Sequence, residues 1–380
     1  MRMSHFTKML FLLVLFCGCK NEHNNPKPKT DDFQIIKPKY AQGFYFQQFN
    51  DFKILTVTQP WLGATRSSSY VLAKSKTKIP ITYQKFPIIR VPVKKIVVAS
   101  TTHIPSLEML VKEETLIGFP ETDYISSEKT RALIDAGKVV DLGANESINS
   151  ELMLSLRPEV LVGFSVNQRN KAYDNFIKAG IQVVYNGDWT ELSPLGRAEW
   201  IKFFGALYDL ESKSDSIFNR IETNYLETAQ KAKETTKRPT VISGTLFKDV
   251  WYLPAGESWA AQFLNDAGAD YLWKDTKGTG SLSLSIENVL EKASQADFWI
   301  GTDSFATFES LKKANVHYQK IKAFQNRNVY SYSTTKGKTG GNLYFELAPN
   351  RPDLVLKDLI HILHPELLPN HHNVFFKKLD

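Results

Sequence analysis

Residues suited to chemistry in this chain stand just after short apolar runs. Ser100, Thr101, Thr102 and His103 close the run Lys94-Lys95-Ile96-Val97-Val98-Ala99. Phe164 and Ser165 follow the run at 160–163, and Asn186, Gly187, Asp188 and Trp189 follow the run at 181–185. Further along come Thr245, Phe247, Trp251, Tyr252, Ser258 and Trp259, then Gly301, Thr302 and Asp303, then Lys336, Gly340, Asn342 and Tyr344. If the runs are strands of doubly wound sheets, ligands sit outside their carboxyl ends, where these residues lie. The Trp and Tyr rings suit the flat apolar face of a bulky ligand, although each could equally belong to a core. His103 could bind a metal through a ring nitrogen, or serve only as a loop hydrogen-bonding group.

The motifs that would make this set catalytic are missing. The sequence holds no HExxH, no GxSxG, no phosphate loop and no cysteine cluster. Gly278-Thr279-Gly280-Ser281 and the glycine-rich stretch 336–341 lack the strand–turn–helix context of a phosphate site. His371-His372 falls in a polar tail, where a metal would find no further partner.

The elements that must position the loops follow from periodicity. In residues 209–237, apolar side chains fall at Ile217, Phe218, Ile221, Tyr225, Leu226 and Ala229, a helical spacing uninterrupted by Pro or Gly. Ser212 and Asp215 match the Ser-x-x-acid start signal. A helix of ~23 residues spans ~35 Å at 1.5 Å per residue. That length suits a rigid strut between two lobes, or an ordinary long surface helix. On either side of it, strand-like and helix-like runs alternate, which predicts parallel sheets with right-handed crossovers. The expected strands before it are 94–100, 115–119, 138–142, 160–162 and 181–185, and after it 240–243, 298–300 and 329–331. Residues 40–81 read as β-rich, with FYFQQF, KILTVT and SSYVLA as short strands. The fold class predicted is α/β, two doubly wound lobes joined by one long rigid helix, with an extra β-rich N-terminal segment.

The chain has 380 residues, room for two domains, and its 42% hydrophobic content is ordinary. Arg2 and Lys8 precede an apolar run at 9–16, followed by Cys17-Gly18-Cys19. A basic flank, a short apolar core and small residues before a cut site make a secretory signal, too short to span a membrane. Cleavage before Cys19 would remove Cys17 and two cations, taking the net charge from +7 to +5. A mildly basic chain with no Lys/Arg block does not read as a nucleic-acid binder. Cys19 would be the one thiol left, and the lipid that its resemblance to a bacterial lipobox implies would cap it, leaving none for a disulfide, a metal or a nucleophile. The expected organisation is 1–19 signal peptide and lipobox, 20–39 disordered tether, 40–92 β-rich segment packed on lobe one, 93–208 lobe one, 209–237 interlobe helix, 238–368 lobe two and 369–380 tail.

One piece of the chain repeats. Asn149-Ser150-Glu151-Leu152-Met153-Leu154 parallels Ser285-Ile286-Glu287-Asn288-Val289-Leu290. Each sets a glutamate at the start of a short helix that leads into an apolar strand ending in glycine, at Gly163 and Gly301. Either carboxylate alone is as well explained by the helix dipole.

The stretches LGANESINSELMLSLRPEVLVGF, GTGSLSLSIENVLEKASQADFWIGT and ELAPNRPDLVLKDLIHILHPELL carry a resemblance. From about residue 91 to 368 the chain resembles the ABC-importer substrate-binding proteins of the iron-siderophore, haem and vitamin B12 class. Leu15-Phe16-Cys17-Gly18-Cys19 resembles a bacterial lipobox. The resemblance implies a protein lipidated at Cys19, exported and anchored to a membrane, facing the periplasm or the cell exterior. It implies a monomer with no cofactor that binds a ferric siderophore, haem or cobamide between its lobes. Its partners would be an ABC permease with its ATPase, with Glu151 and Glu287 docking into arginine pockets. The ligand cleft would draw on Thr101, Thr102, His103, Phe164, Ser165, Trp189, Trp251, Tyr252, Trp259, Thr302, Asp303, Asn342 and Tyr344. His103 is then a candidate ligand to the bound metal. The segment 40–92 lies beyond the family core. Two other classes stay open on the sequence, a lipid-anchored secreted enzyme and a surface interaction protein built on that β-rich segment.

Overall fold

The computed structural model describes residues 32–166, 170–302 and 305–380. Lobe one is a five-stranded, all-parallel sheet in the order Gln182–Tyr185, Val160–Gly163, Ile96–Val98, Leu116–Phe119, Val140–Asp141. Its central strands are apolar throughout because helices cover both faces of a parallel sheet. The order reverses between Ile96–Val98 and Val160–Gly163, which makes the gap beyond their carboxyl ends the switch point.

Lobe two repeats the plan with a different order. Its sheet runs Asp270–Tyr271, Thr240–Ser243, Phe298–Ile300, Val329–Ser331, Lys377–Lys378, and only the last strand is antiparallel. The switch point falls between Thr240–Ser243 and Phe298–Ile300. A second, three-stranded antiparallel sheet of Thr245–Phe247, Val250–Pro254 and Ser281–Leu284 extends over this end.

The lobes are joined by the helix Glu211–Glu234, 24 residues long. Its first half sends Ile217, Phe218 and Ile221 into the core of lobe one. Its second half sends Tyr225, Ala229 and Ala232 into the core of lobe two. One rigid element therefore belongs to both hydrophobic cores. Leu226 falls off this stripe and is exposed, and Thr228 takes a buried place instead. The helix begins before Ser212, with Leu210 at the N-cap position and no side-chain cap. A left-handed Asp209 turns the chain back from the preceding helix, and Leu210 N–H bonds Gly205 O at 2.8 Å. Glu211 then supplies the acidic group of the first turn.

The β-rich segment is a five-stranded sheet in chain order, Gln34–Ile36, Phe44–Gln48, Phe52–Val57, Ser68–Lys74 and Ile88–Val91. Alternation along the strands splits it into two faces. Phe44, Phe46, Leu55, Val57, Tyr70 and Leu72 join the core of lobe one. Phe49, Phe52, Ile54, Val71 and Ala73 form a cluster of their own.

Two expected boundaries move. The tether was expected to run to 39, but Gln34–Ile36 is a strand paired with residues 46–48. The tail at 369–380 is part of lobe two. Phe375, Phe376 and Leu379 are buried in its core, and Lys377–Lys378 is its edge strand. Buried Asp358 holds this tail, accepting from the N–H groups of Val374, Phe375 and Phe376 at 3.0, 2.6 and 3.2 Å, with His371 Nε2 at 2.7 Å. His371 is thus a structural hydrogen-bonding group. The expected signal, lipobox and tether up to residue 31 lie outside the described residues.

Candidate ligand-binding cleft

The switch point of lobe one opens on a cavity between the lobes, and that of lobe two on a cavity within lobe two. A cavity of about 550 Å³ is lined from lobe one by Ser100, Thr101, Phe119, Glu121, Tyr124, Asn145, Glu146 and Phe164, and from lobe two by Ser333, Lys336, Gly340, Asn342 and Phe345. A second cavity of about 560 Å³ lies within lobe two, lined by Ser243, Thr245, Phe247, Tyr252, Trp259, Ser281, Tyr332, Tyr344 and Phe345 among others. Phe345 lines both. Each volume is of the size that holds a drug-sized or larger ligand, and the lining mixes aromatic rings with a few polar groups.

The rings of lobe two are ordered by one another. Tyr332 and Tyr344 stack with centroids 4.3 Å apart, and Tyr344 stacks against Trp259 at 6.2 Å. The Arg197 guanidinium sits 4.3 Å from the Trp259 ring centroid and donates to the carbonyls of Trp189 and Glu191 at 2.8 and 3.2 Å. Burial pushes the Tyr344 hydroxyl well above its ordinary range. It stays a neutral phenol at any physiological pH.

A loop of lobe two closes one side of the cleft by seating on lobe one. A Cβ on Gly341 would lie 2.2 Å from Tyr124 O, and one on Gly337 2.6 Å from Ser126 Cα, so only glycine permits this approach. Beyond the loop, Glu346 accepts the Ser126 and Ser127 N–H groups at 2.5 and 3.0 Å. Asn350 bridges likewise, donating to Thr102 O at 2.7 Å and accepting from Ser106 Oγ at 2.8 Å.

Of the residues expected at the cleft, Thr101, Phe164 and Asn342 line the interlobe cavity, and Tyr252, Trp259 and Tyr344 line the cavity of lobe two. Others are placed elsewhere. His103 is fully buried on the helix His103–Met109, its ring against Phe204, and neither nitrogen has a hydrogen-bond partner among the described residues. Burial lowers its pKa to about 4, partly offset by the Asp188 carboxylate. It cannot reach a bound metal. Trp251 is core, stacked on Trp299 with its indole N–H bonded to Ser243 O at 3.0 Å. In the strand Val250–Pro254, alternate residues face opposite ways, so Tyr252 looks out where Trp251 looks in. Thr302 is fully buried because the chain turns at left-handed Gly301, bringing Thr302 N–H to Tyr330 O at 3.3 Å. Thr102 donates its hydroxyl to Asp188 at 2.8 Å. Ser165 is buried, Trp189 is half-buried outside both linings, and Asp303 lies outside the described residues.

Sequence reasoning passed over Phe119, Glu121, Tyr124, Asn145, Glu146, Tyr332 and Phe345. The carboxyl-end rule, applied to the strand Leu116–Phe119 as it was to its neighbours, reaches Glu121 and Tyr124. Applied to the strand Val140–Asp141, the same rule reaches Asn145 and Glu146, whereas Phe345 carries no such signal.

Glu151 and Glu287 are both exposed in the first turns of equivalent helices, Ser150–Leu156 and Ile286–Ala293. Asn149 caps the first, accepting from Leu152 N–H, and Ser285 caps the second, accepting from Asn288 N–H. A backbone N–H and the Ser285 hydroxyl hold the Glu287 carboxyl below its ordinary range. In both lobes the helix leads into the strand beside the first strand of the sheet, which explains the repeat seen in the sequence.

The family model described as periplasmic binding protein matches residues 96–334. The chain belongs to the periplasmic binding protein family. It is a solute-binding protein and not an enzyme. It is 29% identical to an uncharacterized lipoprotein of Methanocaldococcus jannaschii over 303 residues, 77% of this chain and 70% of that one. Its fold is shared with a periplasmic haem-binding protein of Vibrio cholerae, at TM-score 0.54 and 17% identity, covering 69% of this chain and 99% of that one. It is shared also with the Ni(II)-bound CeuE protein of Helicobacter pylori, at TM-score 0.55 and 19% identity, covering 75% and 88%. The match of the family model begins after the β-rich segment, which stands as an addition to the two-lobed core.

Proposed function

We propose that this periplasmic binding protein captures a bulky metal chelate, a ferric siderophore, haem or cobamide, in the cleft between its lobes and delivers it to an ABC permease with its ATPase. The observation that carries the reading is the interlobe cavity at the switch point of lobe one, joined at Phe345 to the cavity at the switch point of lobe two with its aromatic wall of Tyr332, Tyr344 and Trp259. Rings in that arrangement suit a flat macrocycle or catecholate, and the ring edges leave hydroxyls and Asn342 for its rim. The haem-binding and nickel-bound proteins of like fold support the ligand class. The protein works as a monomer, exported and held to a membrane by lipid on Cys19, a reading supported by its lipoprotein relative. Among the described residues no helix is long and apolar enough to cross a membrane. Cys19→Ser should abolish lipid labelling, and unchanged labelling would reject the anchor.

The test of the ligand is spectroscopic. Protein purified from its native host should carry a corrinoid, haem or ferric-chelate absorption band. Titration of emptied protein with each class should quench the fluorescence of Trp259. No bound chromophore and no quenching by any of the three would reject the reading.

A further inference from the structure

The charge of the cleft lining narrows the ligand further, on the reading that this cleft is the binding site. Among the described residues lining the two cavities, the carboxylates are Glu121 and Glu146 and the single cation is Lys336. Glu121 follows the strand Leu116–Phe119 in a left-handed conformation, φ 56°, its N–H bonded to Gly143 O at 3.0 Å. One of its oxygens accepts the Asn145 N–H at 3.4 Å, leaving most of its acceptor capacity unused. Neither glutamate and not Lys336 takes part in an ion pair with a described residue. Arg197 is outside the lining and committed to Trp259 and two carbonyls.

A ligand seated here covers Phe119, Tyr124, Phe164 and Phe345 and takes water away from both carboxylates. A polyanion would then meet two desolvated charges of its own sign with Lys336, the one ammonium among the described lining residues, to offset them, a juxtaposition that suppresses binding. A rim of N–H donors meets the same carboxylates with charge-assisted hydrogen bonds. We infer that the cleft selects a metal chelate of zero or positive net charge whose rim carries amide or ammonium N–H groups, and discriminates against chelates with several anionic groups. Corrinoids, with amides around the ring, and hydroxamate chelates bearing an amine share this chemistry. Haem, with two carboxylates, and ferric tris-catecholates lack it.

The experiment titrates purified protein with cyanocobalamin, ferrioxamine B, haemin and a ferric tris-catecholate, following tryptophan quenching at fixed ionic strength. At least one of the first two should bind ~10-fold or more tightly than either of the last two. The better of the first two identifies which source of N–H donors the cleft takes. Glu121→Gln with Glu146→Gln should weaken that ligand ~10-fold, and Glu121→Lys with Glu146→Lys should favour haemin or the catecholate. Both residues stand at the cleft surface, and a melting curve confirms that the variants fold. Tighter binding of haemin or catecholate by the unaltered protein overturns the inference while the cleft reading stands. Equal affinities, or Gln variants without effect, overturn it too. Silence toward all four probes removes the cleft reading and the inference together.

Discussion

Two buried titratable residues set opposite pH slopes. His103 has its pKa lowered to about 4 by burial in lobe one. Between its ordinary value and about 4 the unfolded chain binds the extra proton, so this residue's contribution is present above pH ~6.5 and lost as pH falls through that window. Glu346 has its pKa raised to about 7, chiefly by burial, despite the two backbone N–H groups it accepts, and the Glu108 carboxylate adds to the rise. There the folded protein holds the extra proton, so stability declines as pH rises from ~4.5 toward 7. His103→Leu should flatten the acid side of the melting profile and leave ligand affinity unchanged, since neither ring nitrogen faces the cleft. Glu346→Gln should lower stability overall but flatten the profile between pH 4.5 and 7, where the unaltered protein loses on the order of 3 kcal/mol. Melting temperatures measured every half pH unit check both. Parallel profiles for variant and unaltered protein would mean that burial does not shift these groups. His103 also shows why a site residue can be misread. It stands in the right loop by sequence, but the helix opens at that residue and turns the ring inward against Phe204.

At the scale of elements, alternating strands and helices reveal all five strands of the lobe-one sheet, the three central strands of the lobe-two sheet and the interlobe helix, because hydrophobic period is a local property, while the edge strands Asp270–Tyr271 and Lys377–Lys378 escape it. What was not legible is which residue of a loop turns outward. Trp251 and Tyr252 are neighbours with opposite fates, decided by the register of a small antiparallel sheet that periodicity did not reveal. The start of the described chain was hidden for a similar reason. Its order comes from partners about 160 residues away. Glu199 accepts the N–H groups of Lys39, Tyr40 and Ala41 at 2.9, 2.7 and 3.0 Å. Glu191 accepts those of Gln42 and Gly43 at 2.9 and 2.8 Å, with the Trp200 indole N–H at 2.9 Å. These two carboxylates clamp the β-rich segment to the helices where the lobes meet. Glu199→Ala strands three donors, and removing one partner of a buried hydrogen bond costs ~1–3 kcal/mol. A loss of ~2–4 kcal/mol is expected, read as a lower urea midpoint with an unchanged slope. Limited proteolysis should then cut first between residues 33 and 92. A midpoint equal to that of the unaltered protein would show that the segment is held by its apolar face alone. Deleting 369–380 is the matching test in lobe two. It removes Phe375, Phe376 and Leu379 from the core, on the order of 5 kcal/mol of burial, and should leave lobe two unfolded by circular dichroism.

For the whole molecule, the question is how a permease would read two lobes. The interlobe helix is rooted in both cores, and Glu346, Asn350 and the glycine loop tie the lobes beside the cleft. The spacing between exposed points on the two lobes is therefore set by the contacts between them. Glu151 and Glu287 occupy such points, on equivalent helices, and neither lines either of the two cavities. An exposed carboxylate costs little to keep ionised, and against a permease arginine it forms a charge-assisted, bidentate pair. Stranding one partner of a desolvated pair costs ~2–5 kcal/mol of binding, whereas a carboxylate serving only its helix dipole contributes ~0.3–1 kcal/mol of stability. The two roles separate in the double variant Glu151→Ala, Glu287→Ala. If they dock, the variant should melt within a few degrees of the unaltered protein and bind the chelate with equal affinity, while uptake through the permease falls by ~10-fold or more. Each single variant should fall between, because either lobe alone keeps one contact. Full uptake by the double variant would assign both residues to their helices. Lost chelate binding would place them on the cleft side of the molecule instead.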